Sequence, residues 1–247
     1  MRIAVTSDIH ANLAALEAVL AHAEESGRVD AIWSIGDCVG YGPQPAACVT
    51  RLRESDALWV AGNHERAATG AISTDDFNPS AAAAALWTRD QLSDDHRAFL
   101  DALPETASES NCTLVHGTLR WPIWEYLDDY DTARAHLSLQ QTPFGFVGHT
   151  HVPAIVTERP DAPEGCEIRR LRDGEMIALN VGPRLVLNPG SVGQPRDGDR
   201  RASYGILDTD AGTFTLHRVE YEIAATQRLM EEAGLPSWLI ERLDIGR

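Results

Sequence analysis

Five short motifs carry the side chains able to do chemistry: Asp8-Ile9-His10, Gly36-Asp37, Gly62-Asn63-His64-Glu65, His116-Gly117 and Gly148-His149-Thr150-His151. Together they offer carboxylate oxygen, amide oxygen and imidazole nitrogen, the donor mixture that two neighbouring divalent cations need. In an extended segment residues i and i+2 share a face, so Asp8 with His10 and His149 with His151 read as two chelating claws. Asp37 has two oxygens with which to bridge two ions, and Asn63 and His116 add neutral donors. Seven ligands without a thiolate suit manganese, iron, zinc or cobalt. Each residue taken singly has an ordinary alternative: Asp8 as a helix cap, His10 as a loop residue, Asn63 in a left-handed turn. Five motifs in one order, each closing an apolar run, favour the joint reading. The other histidines, His22, His96, His136 and His217, lie away from these run ends and are left outside the site.

Convergence of these motifs requires elements that end at one edge. Arg2 to Ser7 reads as a strand, and Leu13 to Glu24 repeats apolar residues at helical spacing with Asn12 placed to cap it. Further strands are expected at Ala31–Ile35, Ala57–Ala61, Cys112–His116 and Phe144–Gly148, and all of them end at a motif. Ligands of open α/β sheets gather outside the carboxyl ends of the strands, so distance along the chain ceases to matter. Pro79 to Leu103 suits two packed helices, serving as a cap or a packing layer. Short β segments follow His151, near Ala154–Thr157, Glu167–Leu171, Met176–Asn180 and Arg184–Leu187. Ser203–Asp208 and Thr213–Val219 read as a hairpin, and the chain after Tyr221 reads as helical. A second, largely antiparallel sheet built after His151 is the simplest account. A single domain over residues 1–247 is expected, with a helical insert at about 64–111 and a C-terminal helical segment at about 221–247.

Composition narrows the function. With 247 residues and 43% hydrophobic content the chain can fill a sizeable core. Its apolar stretches are short and its N-terminus lacks a leader pattern, so a cytoplasmic location without membrane contact is the expectation. Cys38, Cys48, Cys112 and Cys166 stand singly and are expected as free, buried thiols. A formal net charge of −16 argues against a polymeric nucleic-acid partner. A small anionic substrate is compatible, because two divalent ions would reverse the field locally. All 21 basic residues are arginine, which excludes a P-loop lysine, a Schiff-base lysine and a carboxylated bridging lysine. Any side-chain clamp on phosphate would therefore be built from arginine. Ser7 to Leu13 contains no glycine, which excludes a dinucleotide-binding turn.

The motif series D-x-H, G-D, G-N-H-[DE], H and G-H-x-H resembles the calcineurin-like metallophosphoesterase superfamily over roughly residues 1 to 195, nearest to its small bacterial and archaeal phosphoesterases, which share the Asn188-Pro189-Gly190-Ser191 turn. That resemblance implies an α/β fold, a four-layer α/β/β/α sandwich of two stacked mixed sheets with the metal site at the strand C-terminal edge. It implies two divalent ions (manganese, iron, zinc, cobalt or nickel), one held by Asp8, His10, Asp37 and His151 and the other by Asp37, Asn63, His116 and His149. It further implies hydrolysis of a small phosphodiester or phosphomonoester, with two ions roughly 3.5 to 4 Å apart holding a bridging hydroxide. His64, the neighbour of Asn63, should face the substrate and protonate the leaving oxygen as general acid. The alternatives are a dinucleoside polyphosphate hydrolase and a non-catalytic scaffold similar to the retromer subunit of that superfamily.

The chain departs from the serine/threonine phosphatase signature G-D-x-V-D-R-G, since Gly40 and Tyr41 stand where that branch has an aspartate to orient the histidine and an arginine to grip phosphate. Arg196 is the candidate replacement for that grip, with a solvent-exposed loop arginine as the alternative. Asn12 and Tyr41 complete the candidate substrate contacts, Asn12 being equally explained as a cap. Trp121, Trp124 and Tyr126 would stack on a nucleoside or aryl group, or serve core packing or a dimer contact, which leaves a homo-oligomer compatible.

Overall fold

The computed structural model describes residues 1–179 and 182–247. The chain opens with β1 (Arg2–Thr6), α1 (Leu13–Glu25), β2 (Ala31–Ile35), α2 (Pro45–Glu54) and β3 (Leu58–Val60). Helices α3 (Asn63–Thr69), α4 (Pro79–Gln91) and α5 (Asp94–Asp101) lead to β4 (Thr106–Glu109) and β5 (Cys112–Val115). Then come α6 (Tyr130–Leu139), β6 (Phe144–Phe146), β7 (Ala154–Glu158), β8 (Cys166–Arg170), β9 (Met176–Ala178) and β10 (Leu185–Asn188). The hairpin β11 (Ala202–Asp208) and β12 (Thr213–Val219) precedes α7 (Ile223–Glu232), α8 (Ser237–Glu241) and a 3-10 turn, Arg242–Asp244.

Two six-stranded mixed sheets form, in the orders β3-β2-β1-β11-β12-β9 and β4-β5-β6-β10-β7-β8. Period-two alternation decides the layers. Ile3 and Val5 of β1 face the space between the sheets, where they meet Trp33, Leu114, Phe146, Leu187 and Phe214, while Ala4 faces outward onto α1. Leu16, Val19 and Leu20 of α1, with Val49 and Leu52 of α2, cover that outer side. On the other sheet Val115, Val156 and Val186 turn outward to Ala133 and Leu137 of α6. The order of layers is thus α/β/β/α. Where β11 crosses Phe214 the strand carries Gly205, and a Cβ there would overlap the phenyl ring. All four cysteines are buried and free. Among the described residues no helix is long and apolar enough to cross a membrane.

The structure corrects the expected partition of the chain. Strands after His151 do not assemble a sheet of their own. β11 pairs antiparallel with β1 and carries β12 and β9 into the first sheet, whereas β10 pairs parallel with β6 and carries β7 and β8 into the second. The stretch 64–111 is also not wholly helical, since β4 pairs antiparallel with β5. Asn180, the expected end of the strand at Met176, lies outside the described residues.

Candidate metal centre

β1, β2, β3, β5 and β6 end at Thr6, Ile35, Val60, Val115 and Phe146, and a motif begins within two residues of each end. The two claws do not arise from strand alternation. Asp8 (φ 52°), His10 (φ 48°), Asp37 (φ 54°), His149 (φ 66°) and His151 (φ 59°) all occupy the left-handed region just beyond their strands. Such conformations cost roughly 1–3 kcal/mol each and persist only where the surroundings impose them. Here the chain turns so sharply that alternate side chains fold back toward one point instead of following the pleat.

Three acceptor atoms meet in the first claw. His10 Nδ1 donates to Val39 O at 3.1 Å and His151 Nδ1 donates to Gln194 O at 2.6 Å. A carbonyl only accepts, so both protons sit on Nδ1 and both Nε2 atoms are lone pairs, yet these face each other at 3.1 Å. Asp8 Oδ1 lies 3.2 Å from His151 Nε2 and is buried without a hydrogen-bond partner. Its other oxygen is held by Ser7 Oγ at 2.6 Å and His149 N at 3.1 Å. Burial pushes His10 well below its ordinary range and lowers His151, so neither supplies the missing proton. The donor chemistry fits a cation at this point.

Asp37 connects this claw to the second. Its Oδ2 is 3.8 Å from His10 Nε2 and 3.2 Å from His116 Nε2, while Oδ1 accepts from His64 N at 2.9 Å. His116 Nδ1 donates to Ile35 O at 2.8 Å and His149 Nε2 donates to Trp124 O at 3.2 Å, leaving His116 Nε2 and His149 Nδ1 face to face at 3.1 Å. Burial opposes a charge on His116, but Asp37 overrides it and lifts the pKa to about 10. Asp37 thus favours positive charge at the point between itself and His149, where a cation would sit. Asn63 Oδ1 is buried nearby in sequence and also lacks a partner. The ligand atoms of Asp8, His10 and His151, of His10, Asp37 and His64, and of Asp37, His116 and His149 each fall within 4.8 Å of one another.

His64 occupies the first turn of α3, its ring 5.0 Å from that of His10, 4.4 Å from Tyr41 and 5.2 Å from Phe77. Its Nδ1 is buried and unpartnered. Burial lowers its pKa to about 4, with Asp37 opposing and Arg196 reinforcing the shift. Gly40 explains the first sequence departure: at φ 84°, a Cβ there would overlap His64 Nδ1, so no aspartate fits at that position. Arg196 returns to the site edge, its guanidinium 5.8 Å from the Tyr41 ring and its Nε buried without a partner. Asn12 is placed differently from the expectation of a substrate contact. Its Oδ1 caps α1 at Ala15 N and accepts from Thr226 Oγ1, and its Nδ2 donates to Gly193 O, so its polar atoms are committed to the fold. The aromatic trio disperses: Tyr126 stacks on His149 at 4.0 Å, Trp124 meets Phe77 at 5.5 Å, and Trp121 is 61% exposed.

Three residues that the sequence placed in motifs without assigning them a supporting role hold the site together. Glu65 is fully buried and accepts from Gly62 N (2.7 Å), Asp37 N (2.8 Å) and Cys38 N (2.7 Å), clamping the Asp37 turn against α3. Burial, then the charge of Asp37, raises it to about 7. A glutamate at the third position of a helix is the signal that could have found it. Asn188 Nδ2 donates to Gly148 O at 2.8 Å, and Ser191 Oγ donates to Asp8 O at 2.7 Å, so the Asn188–Ser191 turn ties the two claws together.

Comparison with known proteins points the same way. Residues 1–212 match the calcineurin-like phosphoesterase superfamily domain. A metallophosphoesterase from Sphaerobacter thermophilus superposes with a TM-score of 0.90 at 48% identity, covering 100% of this chain and 99% of that one. An uncharacterised protein of Methanocaldococcus jannaschii is 40% identical over 252 residues, spanning 99% of this chain and 98% of its own. A hypothetical protein from Pyrococcus horikoshii shares the fold at a TM-score of 0.80 and 18% identity, over 100% of this chain and 98% of that one.

Proposed function

The chain belongs to the calcineurin-like phosphoesterase superfamily, and we propose that it is a dinuclear metal-dependent hydrolase of small phosphomonoesters or phosphodiesters with His64 as general acid. One observation carries this reading: Asp8 Oδ1, His10 Nε2 and His151 Nε2 converge as acceptors with no proton among them, and Asp37 Oδ2 reaches from there to His116. Asp8, His10, Asp37 and His151 would hold one ion, and Asp37, Asn63, His116 and His149 the other. Such ions supply a nucleophile at neutral pH and draw charge from the phosphoryl oxygens.

The protein's own groups do the positioning. Carbonyls of Val39, Gln194, Ile35 and Trp124 fix the four histidine tautomers, so that each ring turns one defined nitrogen inward. Glu65 holds the Asp37 turn, and Asp37 Oδ1 in turn accepts from the backbone of His64. As the bond from phosphorus to the leaving oxygen breaks, that oxygen needs a proton; His64, on a ring that shares the face of His10 and Asp37, would supply it once the negative phosphoryl group nearby offsets the burial that lowers its pKa to about 4. A groove of about 500 Å³ lined by Tyr126, Thr150, Val152, Ile168 and Arg169 lies beside His149 and suits an aryl or nucleoside leaving group. That groove extends the reading to dinucleoside polyphosphates.

A panel of aryl phosphomonoesters, aryl phosphodiesters and dinucleoside polyphosphates, offered to protein loaded with manganese, iron, cobalt, nickel or zinc, tests the reading. Turnover that chelator abolishes is expected. Metal-loaded protein inert toward the whole panel would refute it.

A further inference from the structure

His64 decides on which side of the centre a leaving group departs, because the leaving oxygen must come within hydrogen-bond reach of its ring. The Nδ1 end of that ring lies against Gly40, where a Cβ would overlap it, so Nε2 is the nitrogen turned away from that backbone. Three rings stand around it. His10, at 5.0 Å, belongs to the first claw, and Tyr41, at 4.4 Å, is buried with Ala81 and Ala84. Phe77, at 5.2 Å and edge to face, comes from the segment between α3 and α4 and is only partly buried. His64 is 2% exposed, so whatever is bonded to the leaving oxygen must lie against these rings.

Phe77 in turn meets the ring of Trp124 at 5.5 Å, again edge to face, with 73° between the planes. Trp124 is 37% exposed and belongs to a different loop, between β5 and α6. Its carbonyl oxygen accepts from His149 Nε2 at 3.2 Å, and Tyr126, two residues further, stacks on the His149 ring. An aromatic wall therefore runs from the acid on one side of the centre to a ligand of the second ion on the other. The loop that carries Trp124 is braced internally: Thr118 Oγ1 and Arg120 Nε donate to the buried carboxylate of Glu125, and Gly117 N donates to Pro122 O at 2.6 Å. Phe77 offers no hydrogen bond and Trp124 only its indole N–H, so the wall rewards apolar, planar area. A hydroxyl-rich substituent pressed against these rings would give up water without gaining partners.

We infer that Phe77 and Trp124 form the leaving-group subsite and select a flat apolar ring bonded directly to the ester oxygen, an aryl ester in preference to an alkyl ester. The inference rests on the phosphoesterase reading and on the place given there to His64. It narrows the substrate at the atom next to the ester oxygen, where a nucleoside would present its sugar. Stacked and edge-to-face contacts are the arrangements that aromatic pairs prefer, and the two rings offer an incoming ring both.

Benzylphosphonate and ethylphosphonate are the probes, each carrying a methylene where phenyl phosphate or methyl phosphate has its ester oxygen, so that neither is hydrolysed. Calorimetric titration of metal-loaded wild type, F77L, W124L and W124F, with metal content and melting temperature measured on each, separates the subsite from folding; leucine keeps apolar bulk and removes the ring. Wild type should bind benzylphosphonate about tenfold more tightly than ethylphosphonate, and each leucine variant should cut that preference by more than about threefold with ethylphosphonate binding unchanged. W124F should lie between W124L and wild type, and kcat/KM for phenyl phosphate should fall in the same order. A smaller loss of preference in fully metallated F77L or W124L would overturn the subsite, as would wild type that binds the two phosphonates equally or binds neither. Turnover without an aromatic preference would sink the subsite and leave the phosphoesterase reading standing. A benzyl preference that depends on both rings, in a protein without turnover, would retain the subsite and sink that reading instead.

Discussion

At the scale of single residues, the centre is governed by where protons are and are not. Backbone carbonyls place the protons of His10, His151 and His149 on the outer nitrogens, so the inward nitrogens are free to bind a cation. His64 differs, because its ring contributes no atom required by either claw. His64→Ala should lower kcat by about 10² to 10⁴ while both metals stay bound; loss of metal from that variant, read by elemental analysis, would make His64 a ligand. Glu65 is predicted from its surroundings to be intolerant of an isostere. Glu65→Gln turns an amide donor toward either the N–H of Cys38 or those of Gly62 and Asp37, and should cost about 1–3 kcal/mol of stability. A denaturation midpoint equal to wild type would contradict the clamp assigned to Glu65.

Elements show which parts of the molecule were legible in advance. Strand ends were readable because each apolar run stops at a motif, and Asn12 advertised the start of α1, which it caps. Sheet membership was not, since alternation in β11 tells which face of a strand is buried and not that its partner is β1, some two hundred residues away. β4 is largely exposed and left no apolar alternation to read. Helix α6 had an overlooked signal in Asp129, whose side chain accepts from Thr132 N. The left-handed turns beneath the claws had none, because nothing about Asp8 or His149 as residue types demands a positive φ. The same helix α6 carries a further consequence of burial. His136 accepts from Leu119 N and faces Gln140 Oε1, and burial brings its pKa from 6.5 to about 4. Between those values the unfolded chain binds a proton that the folded chain refuses. The contribution is thus complete above about pH 6.5 and declines toward pH 4, by about 3 kcal/mol in all. His136→Gln should show a shallower loss of stability over that window, measured by denaturant titration at several pH values, and an unchanged slope would remove His136 from the account.

For the whole molecule, the balance of charge is resolved locally. A net charge of −16 coexists with a site where, among the described residues, Asp8 and Asp37 bring their carboxylates to the histidines and where Arg196 lies at the edge, 5.8 Å from the Tyr41 ring. Two divalent ions would turn that spot strongly cationic and draw a small phosphate ester into an otherwise repelling surface. Because the claws join both sheets through Asp8 and His149, ions bound there should stabilise the fold as a unit. Chelation is expected to lower the melting temperature, by the equivalent of roughly 3 kcal/mol for each ion held at a hundred times its Kd; a melting curve indifferent to chelator would deny that the claws are occupied in solution. The central claim is that one bridged pair of ions does the chemistry, and titrating metal into the chelated protein while following hydrolysis of an aryl phosphate ester tests it most directly. Activity should rise until two equivalents are bound and then level off, whereas two tightly bound equivalents with no hydrolysis at any point would contradict the account.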